Sequence, residues 1–188
     1  MRPGTPLPTL RHRLRANGVP PPPAPVPLLA LLTILGNLIL IANPGFFSHD
    51  EWLQYDCIQQ LGFPKCLESG VRYFSTHEFG TPVRPLTNLL WIFQAQFMDR
   101  YPLLTHGTDV LLHALVVCAL YLLLARLAVA PWTRFVAALL FSLSPLTTFA
   151  VGWAAAQADR LYVLFACTTV ALALRFVQPD ARPRRLGP

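Results

Sequence analysis

Two adjacent carboxylates, Asp50 and Glu51, stand in the stretch FFSHDEWLQYD (Phe46–Asp56), directly after the apolar run Val26–Ala42. A carboxylate in water at the edge of a bilayer can take a proton from an attacking hydroxyl. Two neighbouring carboxylates can instead share a divalent cation that steadies a departing phosphate. A plain solvated helix end carries the same residue types, so the rest of the chain has to separate these readings. The second group is His106-x2-Asp109-x3-His113. On a helix these positions are i, i+3 and i+7 and share one face. That spacing serves a metal, the orientation of an acid, or contact with a lipid phosphate; no fourth ligand is evident, and a metal stays unknown. Arg84, in TPVRPLTN, can clamp phosphate oxygens with both ends of its guanidinium or pair with the loop acid Glu78. Asp159-Arg160, in AAAQADRLY at the opening of the fourth span, is either a plain helix-end pair or faces the same external cavity as Asp50.

The elements that must position these residues are apolar. The 188 residues make one modest domain, 54% hydrophobic and 13% charged, with a mean hydropathy of +0.45. Charges are absent over long blocks and gathered between them, the pattern of a polytopic membrane protein. Four segments approach the ~20 apolar residues a spanning helix needs: Val26–Asn43, Val110–Ala130, Arg134–Trp153 and the shorter Leu161–Val177. The expected fold is therefore an all-α polytopic membrane protein with about four transmembrane helices. Residues 1–25, rich in Pro and Arg, form a disordered cytoplasmic tail, 26–178 the membrane module, and 179–188 a basic polar tail. The basic leader is long and lacks a cleavage signal, which favours an uncleaved anchor over a signal peptide.

Orientation follows from charge. With the N-terminus cytoplasmic, ten basic residues fall inside and five outside, and eight of the nine acids fall outside. That bias matches the positive-inside rule and puts both termini in the cytoplasm. The net charge of +6 is then arginine flanking apolar spans. No basic stripe interleaved with aromatics is present, so nucleic acid is excluded as a partner.

The orientation leaves about 46–108 as a long external first loop. Within it, Pro85–Met98 carries Leu86, Leu89, Leu90, Phe93 and Phe97 at helical spacing, with Thr87, Asn88, Gln94 and Gln96 off the stripe. Fourteen residues are too few to span, so the expectation is an amphipathic helix lying in the interface, the other reading being a soluble helix that caps the loop. Cys57 and Cys66 either bridge in an oxidising compartment or remain free thiols; Cys118 and Cys167 read as small apolar residues within spans.

Taken in order, TPVRPLTNLLWIFQAQF, YPLLTHGTDVLLHALVVCALYLLLARL and FVAALLFSLSPLTTFAVGWAAAQADRLYVLF resemble the N-terminal part of GT-C superfamily membrane glycosyltransferases. They are most similar to bacterial relatives of the tetratricopeptide-repeat O-mannosyltransferases, and the likeness covers about Phe46–Phe165. Those proteins show an acidic pair after the first span, an "RPL" before an amphipathic helix, and "H-x2-N-x3-H" opening the next span. An "F-x-L-x-P" block and a "W…G-R-x-D" element follow. The resemblance implies that Asp50, with Glu51 beside it, is the catalytic acid. It implies that Arg84, His106, Asp109, His113 and Asp159 bind substrate, with Asp109 where Asn is usual. It also implies transfer of a sugar from a polyprenyl-phosphate donor to an acceptor on the periplasmic face of a bacterial inner membrane. No cofactor is certain; a divalent cation shared by the adjacent acids Asp50 and Glu51 is the one candidate. Family members often carry His-Pro where this chain has Ser144-Pro145, and usually many more spans, so the expectation is a front module: a fragment, a truncated paralogue or one half of a split enzyme. The partners implied are the lipid-linked sugar, membrane lipid and a larger membrane transferase. A non-catalytic membrane subunit that binds lipid or such a transferase, and a small metal-handling membrane protein, are the rival expectations.

Overall fold

A computed structural model describes residues 22, 24–42, 49–68, 85–98, 102–153 and 156–177. The two tails lie almost wholly outside these residues, as do Arg84 and the stretch 69–84. Among the described residues every regular element is helical and no strand occurs. The helices are α1 (Pro25–Gly36), α2 (Leu38–Ala42), α3 (His49–Leu61), α4 (Pro85–Met98), α5 (Pro102–Arg126), α6 (Pro131–Leu143), α7 (Pro145–Gly152) and α8 (Gln157–Val177). Residues 63–68 add a short helical segment after α3. Five of these eight helices begin at proline. Proline has no N–H to leave orphaned at a helix start, and its fixed φ suits the first turn.

The hub is α5, which packs against α1, α2, α4, α6, α7 and α8. Its inward stripe runs through Val110, Ala114, Val117 and Tyr121. Val117 and Tyr121 join Leu29 of α1 and Phe135 and Ala138 of α6 in the apolar core. Arg134 lies over the Tyr121 ring, 4.8 Å from its centre, which keeps a charge on aromatic surface at the end of the bundle. At its C-terminus α5 ends on Ala128 at φ 58°, a place usually given to glycine. Ala128 N–H donates to the Ala125 carbonyl and Val129 N–H to that of Leu124, satisfying two end-of-helix acceptors.

Two helices are long and apolar enough to cross a membrane, Leu103–Arg126 within α5 and the whole of α8. A third crossing exists if α6 and α7, which meet at a 52° bend, count as one span. The bend falls at Ser144, whose ψ of 135° is extended, as expected for the residue preceding a proline. The expected first span, Val26–Asn43, is interrupted: α1 stops at Gly36, and Asn37 turns its own amide back onto the Thr33 carbonyl, 2.9 Å away. A twelve-residue helix covers about 18 Å, short of a hydrocarbon core of ~30 Å. Gly36 also lies close against α6, since a Cβ there would strike the Leu143 side chain.

The surface is inverted relative to a water-soluble globule. Large apolar side chains face outward along α5, α6, α7 and α8, among them Leu140, Leu146, Phe149, Phe165 and Phe176. The buried set includes His106, Asp109, His113, Gln157 and Arg160. In α4 the apolar stripe points out at Leu86, Leu89 and Phe93, while Thr87 and Gln94 are buried. That is the arrangement for a helix whose outer surroundings are apolar.

Candidate functional site

The buried polar side chains collect where α4, α5, α7 and α8 meet. Asp109, 1% exposed, and Arg160, 5% exposed, form an ion pair with Arg160 Nη2 2.6 Å from Asp109 Oδ1. The other arm of the same guanidinium, Nη1, donates to the Ala150 carbonyl of α7. Gln157 Nε2 donates to Asp109 Oδ1 at 2.7 Å and to Gln94 Oε1 at 2.7 Å. Four helices are thus tied through one carboxylate. A charge buried in this way is costly unless paired and hydrogen-bonded, and Asp109 is both.

This chain of bonds fixes the orientation of two amides. A carboxylate only accepts, so Gln157 must present its nitrogen to Asp109. That same nitrogen then requires an acceptor at Gln94, which must present its oxygen. The Gln94 Nε2 group is left without a hydrogen-bond partner among the described residues, and so is the Thr105 hydroxyl. Both residues line a cavity of about 330 Å³ between α4 and the first turns of α5.

Further along the same face of α5, His113 Nε2 donates to the Ser142 carbonyl at 3.2 Å, and the ring sits 5.8 Å from that of Phe141. Ser142 Oγ in turn donates to Thr33 Oγ1 at 2.8 Å, joining α6 to α1. This second cluster lies beneath the first and locks the core-forming helices.

His106, Asp109 and His113 therefore share one buried face, as their spacing predicts. Asp109 is committed to Arg160 and Gln157, and His113 to a backbone carbonyl. Among the described residues no group of three His, Cys, Asp or Glu is arranged to hold a metal ion. At the start of α8 the inward charge is Arg160, while its neighbour Asp159 is exposed. Asp50 and Glu51 fall in the first turn of α3, their side chains outside the described residues. That helix packs on α4, and α4 on α5. Cys57 and Cys66 are disulfide-bonded, tying α3 to the 63–68 segment.

Gln94 and Gln157 are not among the residues that the sequence places in a site, and Arg160 enters it only as the neighbour of Asp159. Their signal was available in α8, where Gln157, Arg160, Leu161, Leu164, Cys167, Ala171 and Leu174 recur at three- and four-residue steps. Each of these is buried or half-buried, and Asp159 lies off the stripe.

The fold and the buried network define an all-helical protein with two or three helices fit to cross a membrane, consistent with an integral membrane protein. Compared with protein-family models, curated proteins and solved structures, the chain matches none.

Proposed function

We propose that the chain is an integral protein of a bacterial inner membrane, with both termini cytoplasmic. In this reading it is the front module of a GT-C-type glycosyltransferase that moves a sugar from a polyprenyl-phosphate donor to an acceptor on the periplasmic face. The observation that carries it is the inside-out bundle with its charged network. Outward-facing leucines and phenylalanines surround buried Asp109, Arg160, Gln94 and Gln157, and ionisable residues inside a membrane are rare and costly, which makes a functional role the default reading. The resemblance of the Phe46–Phe165 motifs to that superfamily supplies the chemistry. Asp50 takes the proton from the acceptor hydroxyl as its oxygen bonds to the sugar's C1. The C1–O bond to phosphate breaks, and polyprenyl phosphate leaves with the electron pair. Glu51 holds the local charge, and Arg84 grips the phosphate oxygens. Asp109, His106 and His113 support the helices that carry these groups, and Asp159 faces the substrate side.

The test is transfer from a polyprenyl-phosphate sugar in membranes containing the full chain, comparing Asp50→Asn with wild type at equal expression. Loss of a general base costs about 10²–10⁴ in rate. Unchanged transfer would remove Asp50 from the chemistry. A second reading draws on the mutual neutralisation of Asp109 and Arg160, which suits packing as well as chemistry. It is a non-catalytic membrane subunit bound to a larger transferase. It predicts co-purification with a multi-span partner and indifference to Asp50→Asn.

A further inference from the structure

The cavity between α4 and α5 has the features of a ligand site separate from the sugar-transfer chemistry. It holds about 330 Å³ and is lined by Leu90, Phe93, Gln94, Leu104, Thr105 and Thr108. Such a volume, apolar walls and a few convergent polar groups are what small-ligand pockets share. The polar groups here are specific. Gln94 is 6% exposed and its oxygen is already taken by Gln157, so it offers only N–H donors. Thr105 is 3% exposed and offers a hydroxyl. Neither group has a hydrogen-bond partner among the described residues, and a buried donor left unmade is costly. The remaining hydroxyl, that of Thr108, is spent on the Leu104 carbonyl at 2.7 Å.

The ligand must therefore bring an acceptor, and charge decides which kind. None of the lining residues is charged, and the nearby Asp109 and Arg160 bind one another. A phosphate or carboxylate would be desolvated there without a counter-ion, whereas a neutral carbonyl would not. Position narrows the choice further. The cavity sits at the N-terminal end of the candidate span that starts at Leu103. From it a row of outward leucines, Leu104, Leu111 and Leu115, runs down α5, each at least half exposed. From Leu104 to Leu115 the helix rises about 16 Å, close to one leaflet of a ~30 Å core.

We propose that this cavity binds the acyl ester of a membrane glycerolipid, its carbonyl oxygen accepting from Gln94 Nε2 and the Thr105 hydroxyl, its chain lying along Leu104, Leu111 and Leu115. The proposal rests on the membrane setting above and not on sugar transfer. Flotation of the chain with vesicles tests that setting, and lipid binding is read with no sugar donor present, so the failures are distinguishable.

The experiment uses the full chain in nanodiscs of a dialkyl ether phosphatidylcholine, which has no ester carbonyl, doped with a phosphatidylglycerol whose acyl chain carries a diazirine. Irradiation should label residues in α4 and the first turns of α5. Unlabelled diacyl phosphatidylglycerol should compete about three- to tenfold better than its dialkyl ether analogue, which lacks the carbonyl, the range set by one or two net hydrogen bonds. Gln94→Leu and Thr105→Val should each reduce that preference. Thr105→Val removes a hydroxyl bonded to no member of the ion-pair network, so it carries the test if Gln94→Leu does not fold. Equal competition by ester and ether, labelling only elsewhere, or an undiminished preference in Thr105→Val would each overturn the proposal.

Discussion

Arg160→Met should be among the most destabilising single changes in the bundle, and its size can be worked from the geometry. Two unit charges 2.6 Å apart attract by about 6 kcal/mol at an effective dielectric of ~20. Desolvation of both ions, at several kcal/mol each, offsets most of this, so the intact pair contributes little net stability. Truncating one member is different, because it strands the other charge and costs about 3–5 kcal/mol. Asp109 would still accept from Gln157, which places the expected loss for Arg160→Met near the lower end, about 3 kcal/mol. Asp109→Leu strands the arginine by a similar amount. The double variant Asp109→Leu/Arg160→Met strands neither ion and loses only the hydrogen bonds to Ala150 and Gln157, about 1–2 kcal/mol in all. The measurement is denaturant unfolding in micelles followed by far-ultraviolet circular dichroism, run as a double-mutant cycle. Single losses below about 1 kcal/mol, or a double variant as unstable as the sum of the singles, would refute a desolvated pair at this position.

Two further links, the disulfide and the Ser142–Thr33 bond, carry outcomes of their own. Alkylation in denaturant without reductant should modify Cys118 and Cys167, half-buried and buried in the fold, and spare Cys57 and Cys66. Reducing that nine-residue link should lower stability by roughly 2–3 kcal/mol on the loop-entropy relation, read as a fall in melting temperature; modification of all four thiols without reductant would contradict the bridge. Ser142→Ala leaves the fully buried Thr33 without its donor and should cost about 1–2 kcal/mol in the same unfolding assay. Thr33→Val added to it should recover part of that loss, and an unchanged or larger deficit would mean the bond is not formed.

Hydropathy alone marks α5 as a membrane-length helix, because Val110–Leu124 is unbroken by charge apart from His113. The helix Pro85–Met98 is legible from its spacing, with the same bounds in the structure. What that spacing does not reveal is why the polar side of α4 turns inward, which depends on Asp109 and Gln157 arriving from elsewhere in the chain. The shared face of His106, Asp109 and His113 is likewise a matter of helical geometry, readable in advance. Choosing between Asp159 and Arg160 is not, because neighbours on a helix point about 100° apart and only the phase of the whole stripe decides. The break at Asn37 was hidden for a related reason. An asparagine inside an apolar run is compatible with continuation, and it ends α1 here through its own bond to Thr33. The Ser144–Pro145 bend, by contrast, carries its signal in the proline itself.

The arginine that bridges Asp109 and the carbonyl of Ala150 also imposes an order on biosynthesis. Asp109 is made 51 residues before Arg160, an interval of roughly 3–10 s at ordinary rates of chain elongation. Throughout that time α5 holds an acid without its counter-ion, and once made, α7 holds a carbonyl without this donor. Both wants are met by the same side chain in the first turn of α8. The last helix of the described bundle is therefore the one whose emergence completes the helices before it, and a ribosome stalled before residue 160 would present an unfinished bundle to the machinery that inserts or degrades it.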